Sequence, residues 1–242
     1  MNDNQETANQ PLAEPEIDKP ALVSHLSHEL RTLLGGIIGI NELLLASNLT
    51  AHQKQLAQTV DQSSRTLLSV LNDIVDLSRL EIGRMNLDFA PTDVRKIAHE
   101  VIELHSVAED KQINLTFATA DAFLVISDPA RVKQLLCVMV GRMLAGIEKG
   151  SVALTIAMEK QSDSAIQLLF TASAEHVIGP EAAYLSTLNM PSQSGFNDSR
   201  WLSLFLVRKI SQLMGGGCGA EQKGEVSSIW ISLPARMVQA PG

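Results

Sequence analysis

Val23, Leu26, Leu30, Leu33, Ile37, Ile40 and Leu44 recur at alternating steps of three and four residues. That spacing puts them on one apolar stripe of a long helix of heptad type, running from Ala21 to about Ser47. Ser47-Asn48-Leu49-Thr50 interrupts it, and Thr50 is a candidate N-cap for a second helix. A second stripe follows at Leu56, Val60, Ser63, Leu67, Val70, Ile74 and Leu77, again in steps of four and three. Two long helices joined by so short a turn lie antiparallel, and each buries only one face against the other. A symmetric homodimer closing a four-helix bundle covers the remainder economically. A monomeric hairpin packed on the rest of the chain is the alternative.

After Arg84 the period changes. Asn86–Phe89 and Ile113–Ala118 alternate as strands around a helix from about Thr92 to Ala108. Phe123–Ile126 reads as a short strand, and Asp128–Ile147 as a helix with Asp128 as N-cap and Pro129 in its first turn. Ser151–Met158 and Ile166–Ala172 form an expected hairpin around the polar Glu159–Ser164. A helix from about Ser199 to Met214 ends at three glycines, and strands at Cys218–Glu221 and Ser227–Leu233 close the pattern. The expected fold class is α+β: an N-terminal antiparallel helical hairpin, then a C-terminal two-layer α/β sandwich on a mixed sheet. The expected boundaries are an acidic disordered tail at 1–20, the hairpin at 21–84, the sandwich at 85–236 and a short tail at 237–242.

Charge refines this picture only slightly. Of the net charge of −8 over 242 residues, half lies in the first twenty, where Asp3, Glu6, Glu14, Glu16 and Asp18 face Lys19 alone. A sequence pI near 5.2 argues against nucleic-acid binding, which needs clustered Lys and Arg. Cys137 and Cys218 are too few for a disulfide scaffold and suit a reducing compartment, so a cytoplasmic location is expected. No apolar run spans a membrane; the best, Gln134–Ile147, is broken by Arg142.

His28 is the first candidate for chemistry. With Leu26 and Leu30 at the d and a heptad positions, His28 falls at f, the position turned furthest from the stripe. Glu29 is beside it, and Arg31 and Thr32 lie one turn on, on the same face. An imidazole held out to solvent with a carboxylate, a guanidinium and a hydroxyl nearby suits a nucleophile that meets a partner's phosphoryl group. On periodicity alone, an exposed helix histidine is more often simply a solvated surface residue. No metal is expected, because Thr32 stands where an H-E-x-x-H motif needs its second ligand, and His25 and His28 lack a third.

Ser27-His28-Glu29-Leu30-Arg31-Thr32, followed by Gly36-Ile37-Ile38-Gly39, resembles the H-box of two-component sensor histidine kinases. Asp73-Ile74-Val75-Asp76-Leu77-Ser78-Arg79-Leu80-Glu81 is similar to the end of that family's second phosphotransfer helix. Asp128-Pro129-Ala130-Arg131-Val132, Leu213-Met214-Gly215-Gly216 and Ile229-Trp230-Ile231-Ser232-Leu233-Pro234 resemble parts of its ATPase domain, of the Bergerat type. The resemblance covers about Ala21 to Arg236 and implies a dimerisation and phosphotransfer hairpin with His28 as phospho-acceptor. Leu33 departs from it, standing where the family usually has Pro.

The nucleotide positions implied by the resemblance depart further. Val138, Arg142 and Ala145 stand where the family has two Asn and a Lys. Ala174 replaces the Asp that reads the adenine amine, and His176 replaces a glycine of the same loop. Trp201 and Ser203 replace the glycines of the second Gly-rich loop, where close backbone approach to phosphate depends on absent side chains. Arg142, and Glu175 by a shift of one residue, are the groups through which a nucleotide could still be held. The expectation is therefore a degenerate ATPase domain with no cofactor of its own. The chain would act as a phosphorelay histidine phosphotransferase, similar in organisation to the ChpT-like class. Its partners would be receiver domains of response regulators or hybrid kinases, each supplying Mg²⁺ from its own acidic site. The alternatives are a non-catalytic pseudokinase regulator that docks a receiver or a true kinase, an atypical sensor kinase, and a response-regulator phosphatase working through Thr32. The four segments leave no residues for a sensor, an anchor or a receiver, so the signal is expected to arrive through a partner.

Overall fold

The computed structural model describes residues 19–106, 113–119, 124–161, 165–178, 181, 185, 188, 189 and 199–238. The chain divides into two compact units, Met1–Ile82 and Gly83–Gly242. Most of the expected acidic tail and the last four residues lie outside the described residues; Lys19 and Pro20 already belong to the first helix.

The first unit is a hairpin of α1 (Lys19–Leu45) and α2 (Ala51–Glu81). Leu33, Gly35 and Gly36 sit inside α1 without interrupting it. Thr50 caps α2 through a reciprocal box: its hydroxyl accepts from the Gln53 amide at 3.3 Å, and its own amide donates to Gln53 Oε1 at 3.0 Å. Gly83, with φ of 65°, follows α2 and supplies a left-handed residue that ends it cheaply.

The apolar stripe is not what joins the two helices. Leu26, Leu30, Leu33, Ile37, Ile40 and Leu44 are all exposed, as are Leu56, Val60, Leu67 and Ile74. A second stripe, one residue further along each helix, makes the contact instead. On α1 it runs Ser27, Arg31, Leu34, Ile38, Asn41, Leu45, and on α2 Ala57, Asp61, Ser64, Leu68, Leu71, Val75. Both repeat in steps of four and three, but the members are smaller and more polar. Asn41 Nδ2 donates to the Ala57 carbonyl at 2.9 Å, and Arg65 bridges Asp61 and Glu42, each at 2.7 Å.

The second unit is a seven-stranded mixed sheet with helices on one face. Its elements are β1 (Ala90–Asp93), α3 (Val94–Ser106), β2 (Ile113–Thr119), β3 (Leu124–Ser127), α4 (Pro129–Ala145), β4 (Gly150–Lys160), β5 (Ala165–Glu175), α5 (Ser199–Leu213), β6 (Gly217–Lys223) and β7 (Val226–Met237). The strand order is β1-β3-β7-β5-β4-β2, with β6 also on β7. Only β2 and β4 run parallel. One edge of β7 pairs with β5 along its length; the other is shared by β6 near its start and β3 at its end.

Alternation explains the burial. Val152, Leu154 and Ile156 of β4, Ile166, Leu168, Phe170, Ala172 and Ala174 of β5, and Ile229, Ile231 and Leu233 of β7 are all buried. They meet α4, whose Val132, Leu135, Leu136, Met139, Val140 and Met143 are inside, and α5 through Leu204, Val207 and Ile210. Asp128 caps α4 as expected, accepting from the Arg131 amide at 3.0 Å, with Pro129 at the first helical position.

Two expectations need correction. Asn86–Phe89 is not a strand: the Asp88 amide donates to Asp128 Oδ2 at 2.9 Å, and the strand is Ala90–Asp93. Pro91 is tolerated there because β1 is an edge strand, and Asp93 then accepts from the Lys96 amide to start α3 at Val94 rather than Thr92. The strand expected to end near Ala172 continues to Glu175, so Ala174 lies inside β5, opposite Val152 and Ser227, rather than in a loop.

Candidate functional site

His28 is exposed on α1, three turns from its start. The Thr32 hydroxyl donates to the His28 carbonyl at 3.1 Å, which commits its proton to the helix backbone. Arg31 is half-buried and its Nε donates to Asn72 Oδ1 on α2 at 2.8 Å. Glu29 is turned toward the preceding turn, where its Oε1 lies 3.3 Å from His25 Nε2. His28 and Thr32 thus stand on the exposed face, Arg31 one turn on is drawn toward α2, and the Glu29 carboxylate is engaged with a different histidine. His25 was legible as an i, i+4 partner of Glu29. Asn72 was not, because no spacing rule links positions 41 residues apart; only the hairpin register does.

In the second unit, Val138, Arg142 and Ala145 fall on successive turns of α4 and grow more exposed in that order's last member. Arg142 Nη1 lies 3.5 Å from Glu181 Oε1, with the Glu181 side chain only 5% exposed. The Ile178 amide donates to the Gly146 carbonyl at 2.9 Å, and a methyl at Gly146 would stand 2.6 Å from Val177 Cγ1. Val177, Ile178 and Glu181 therefore lie against the end of α4. Ala174 is buried among the sheet's inner residues and Glu175 is exposed. His176 adopts φ of 52°, its amide donates to the Glu225 carbonyl at 2.9 Å, and its Nε2 lies 3.5 Å from Glu225 Oε2. Trp201 stacks on Phe205 with ring centres 4.8 Å apart, and Lys209 Nζ sits 5.4 Å over Phe205. Ser203 is half-buried on α5.

A groove of 530 Å³, lined by Phe89, Ile126, Ile166, Met214 and Pro234 with Arg236 at hand, lies at the opposite end of β5 and β7 from Ala174. Burial pushes the Cys137 and Cys218 thiols up, away from the thiolate a nucleophile needs. Among the described residues no three His, Cys, Asp or Glu side chains are grouped as metal ligands, and no helix is long and apolar enough to cross a membrane.

An exposed histidine on a hairpin that leaves an apolar stripe open, followed by a mixed sheet with helices on one face, defines a class. Residues 19–83 match the His Kinase A (phospho-acceptor) domain, and the helical unit belongs to that family. Such domains dimerise and interact with receiver domains in two-component systems. The chain has the histidine-kinase core fold of two-component signalling. Sensor histidine kinase GacS of Pseudomonas protegens is 29% identical over 224 residues, which cover 89% of this chain and 24% of GacS. Signal transduction histidine-protein kinase BarA of Escherichia coli K12 is 29% identical over 225 residues, with the same two coverages. This chain thus spans about a quarter of these relatives' length. The crystal structure of full-length ShkA in complex with AMPPNP superposes with a TM-score of 0.67 at 28% identity, over 92% of this chain and 47% of that one. Histidine kinase AdeS of Acinetobacter baumannii, 15% identical with a TM-score of 0.55 over 85% of this chain and 96% of its own, shares the fold.

Proposed function

We propose that this chain is a phosphorelay histidine phosphotransferase, taking a phosphoryl group from a receiver aspartate onto His28 and giving it to a second receiver. In the forward step an unprotonated ring nitrogen of His28 attacks phosphorus. The P–O bond to the receiver aspartate breaks, and its carboxylate leaves with the electron pair. The proton on the other ring nitrogen then passes to water, the Glu29 carboxylate being engaged with His25. The Arg31 guanidinium steadies the phosphoryl oxygens, and the rigid helix supplies orientation. Mg²⁺ belongs to the receiver's own acidic site in this reading. The exposed apolar stripes support a homodimeric four-helix bundle that presents two such histidines.

The reading without ATP is supported by the Arg142–Glu181 pair. Arg142, a cation that could meet a phosphate, lies 3.5 Å from a buried carboxylate instead. The residues present fit a nucleotide poorly in this reading: Ala174, inside β5, offers no acceptor for an adenine amine, and Trp201, stacked on Phe205, stands where the resemblance expects a glycine. No step is therefore drawn through ATP.

The test is transfer from a radiolabelled phospho-receiver in the presence of Mg²⁺. Wild type should become labelled and His28→Ala should not; a labelled His28→Ala protein sinks the assignment. A second reading, an ATP-dependent autokinase, is favoured by the AMPPNP bound to ShkA. Incubation with labelled ATP and Mg²⁺ separates the two, since label on wild type would overturn the ATP-free reading.

A further inference from the structure

We infer that Asn72 is a positioning residue for phosphoryl transfer, fixing the Arg31 guanidinium one helical turn from His28 through a neutral acceptor; this rests on the phosphotransferase reading above. Arg31 lies on the buried stripe of α1, one turn beyond His28, and its Nε donates to Asn72 Oδ1 across the hairpin at 2.8 Å. A long arginine side chain left to itself samples many rotamers, and fixing one end of its planar fork removes most of that freedom. The acceptor's chemistry carries the inference further. Helix α2 has carboxylates at the neighbouring positions Asp73 and Asp76, yet Arg31 is held by the neutral amide between Leu71 and Asp73. An ionised partner would make a stronger bond but would cancel the field that Arg31 offers to an incoming phosphoryl group. An amide fixes the geometry and adds no negative charge of its own. The two requirements of a phosphoryl-steadying cation, fixed position and retained charge, are thus both served by one oxygen.

The two requirements separate by mutation. Asn72→Ala removes the acceptor, whereas Asn72→Asp keeps an acceptor and adds the charge. If Asn72 merely ties the helices together, Asn72→Asp is at least as stable as wild type and transfers phosphoryl as fast. If it positions a cation, both variants slow labelling of His28 by about tenfold or more, with Asn72→Asp melting no lower than wild type. Repeating both in an Arg31→Ala background closes a double-mutant cycle. There neither should slow transfer further. Asn72→Asp labelling at the wild-type rate, or Asn72→Ala slowing the Arg31→Ala protein as much as wild type, overturns the inference while leaving the phosphotransferase reading intact. Wild type that takes no label from any phospho-receiver removes both.

Discussion

Glu181 holds Arg142 at the end of α4 with its side chain 5% exposed, while the Arg142 side chain is 22% exposed. Removing one member of such a pair strands the other charge in partly dry surroundings. Glu181→Ala should therefore lower the unfolding free energy by about 2 kcal/mol, less than for a fully buried pair because Arg142 reaches some water. Replacing both by Met should recover most of that loss, since two apolar side chains leave nothing unpaired. Urea midpoints of the single and double variants check this, and equal losses in both would show that the pair is not coupled. His28 and Arg142 also differ in how far residue-level reasoning reaches. The exposure of His28 follows from its heptad position, a property of three or four neighbours. The partner of Arg142 sits 39 residues away, beyond two strands, and only the folded chain brings it there.

At the scale of elements, caps were legible and stripes were not. Thr50 and Asp128-Pro129 mark their helices because a short polar side chain before a helix has one thing to bond, the free amides of the first turn. Their consequences differ. Thr50→Ala should cost about 1 kcal/mol, the usual loss of a cap. Asp128→Ala should cost about 2 kcal/mol, because the same carboxylate also receives the Asp88 amide and so fixes the chain entering β1. Thermal or urea unfolding of the two variants measures the difference, and equal losses would mean that the Asp88 bond contributes nothing. The hairpin's inner stripe escaped notice for a physical reason. Both stripes repeat in steps of four and three, and hydrophobicity points to the one that is more apolar. In a bundle made from two chains the better stripe need not be the one inside a single chain. The strand at Ala90–Asp93 was missed because Pro91 argues against a strand wherever its edge position is unknown.

Across the whole molecule, the hairpin's internal contact of Ser27, Leu34, Asn41, Ala57, Ser64, Leu71 and Val75 is partly polar, while most of its large apolar side chains face outward. Stability of the helical unit should therefore depend on association. Leu30→Asp places a charge on the outer stripe and leaves the inner one untouched. It should convert a dimer to a monomer by light scattering and make helix melting independent of protein concentration. A Leu30→Asp protein that stays dimeric would place the interface elsewhere. The α/β unit has a different dependence, set by β7. That strand is the last of the described strands in the chain, yet it touches three of the others in space. Until it arrives, β3, β5 and β6 have no common neighbour, and β5 keeps an open edge along its full length. On the ribosome, the earlier strands must wait with apolar faces uncovered and ladder groups unpaired. The unit is therefore committed to late, non-local closure, the slow end of folding kinetics. Its most aggregation-prone moment falls before β7 docks.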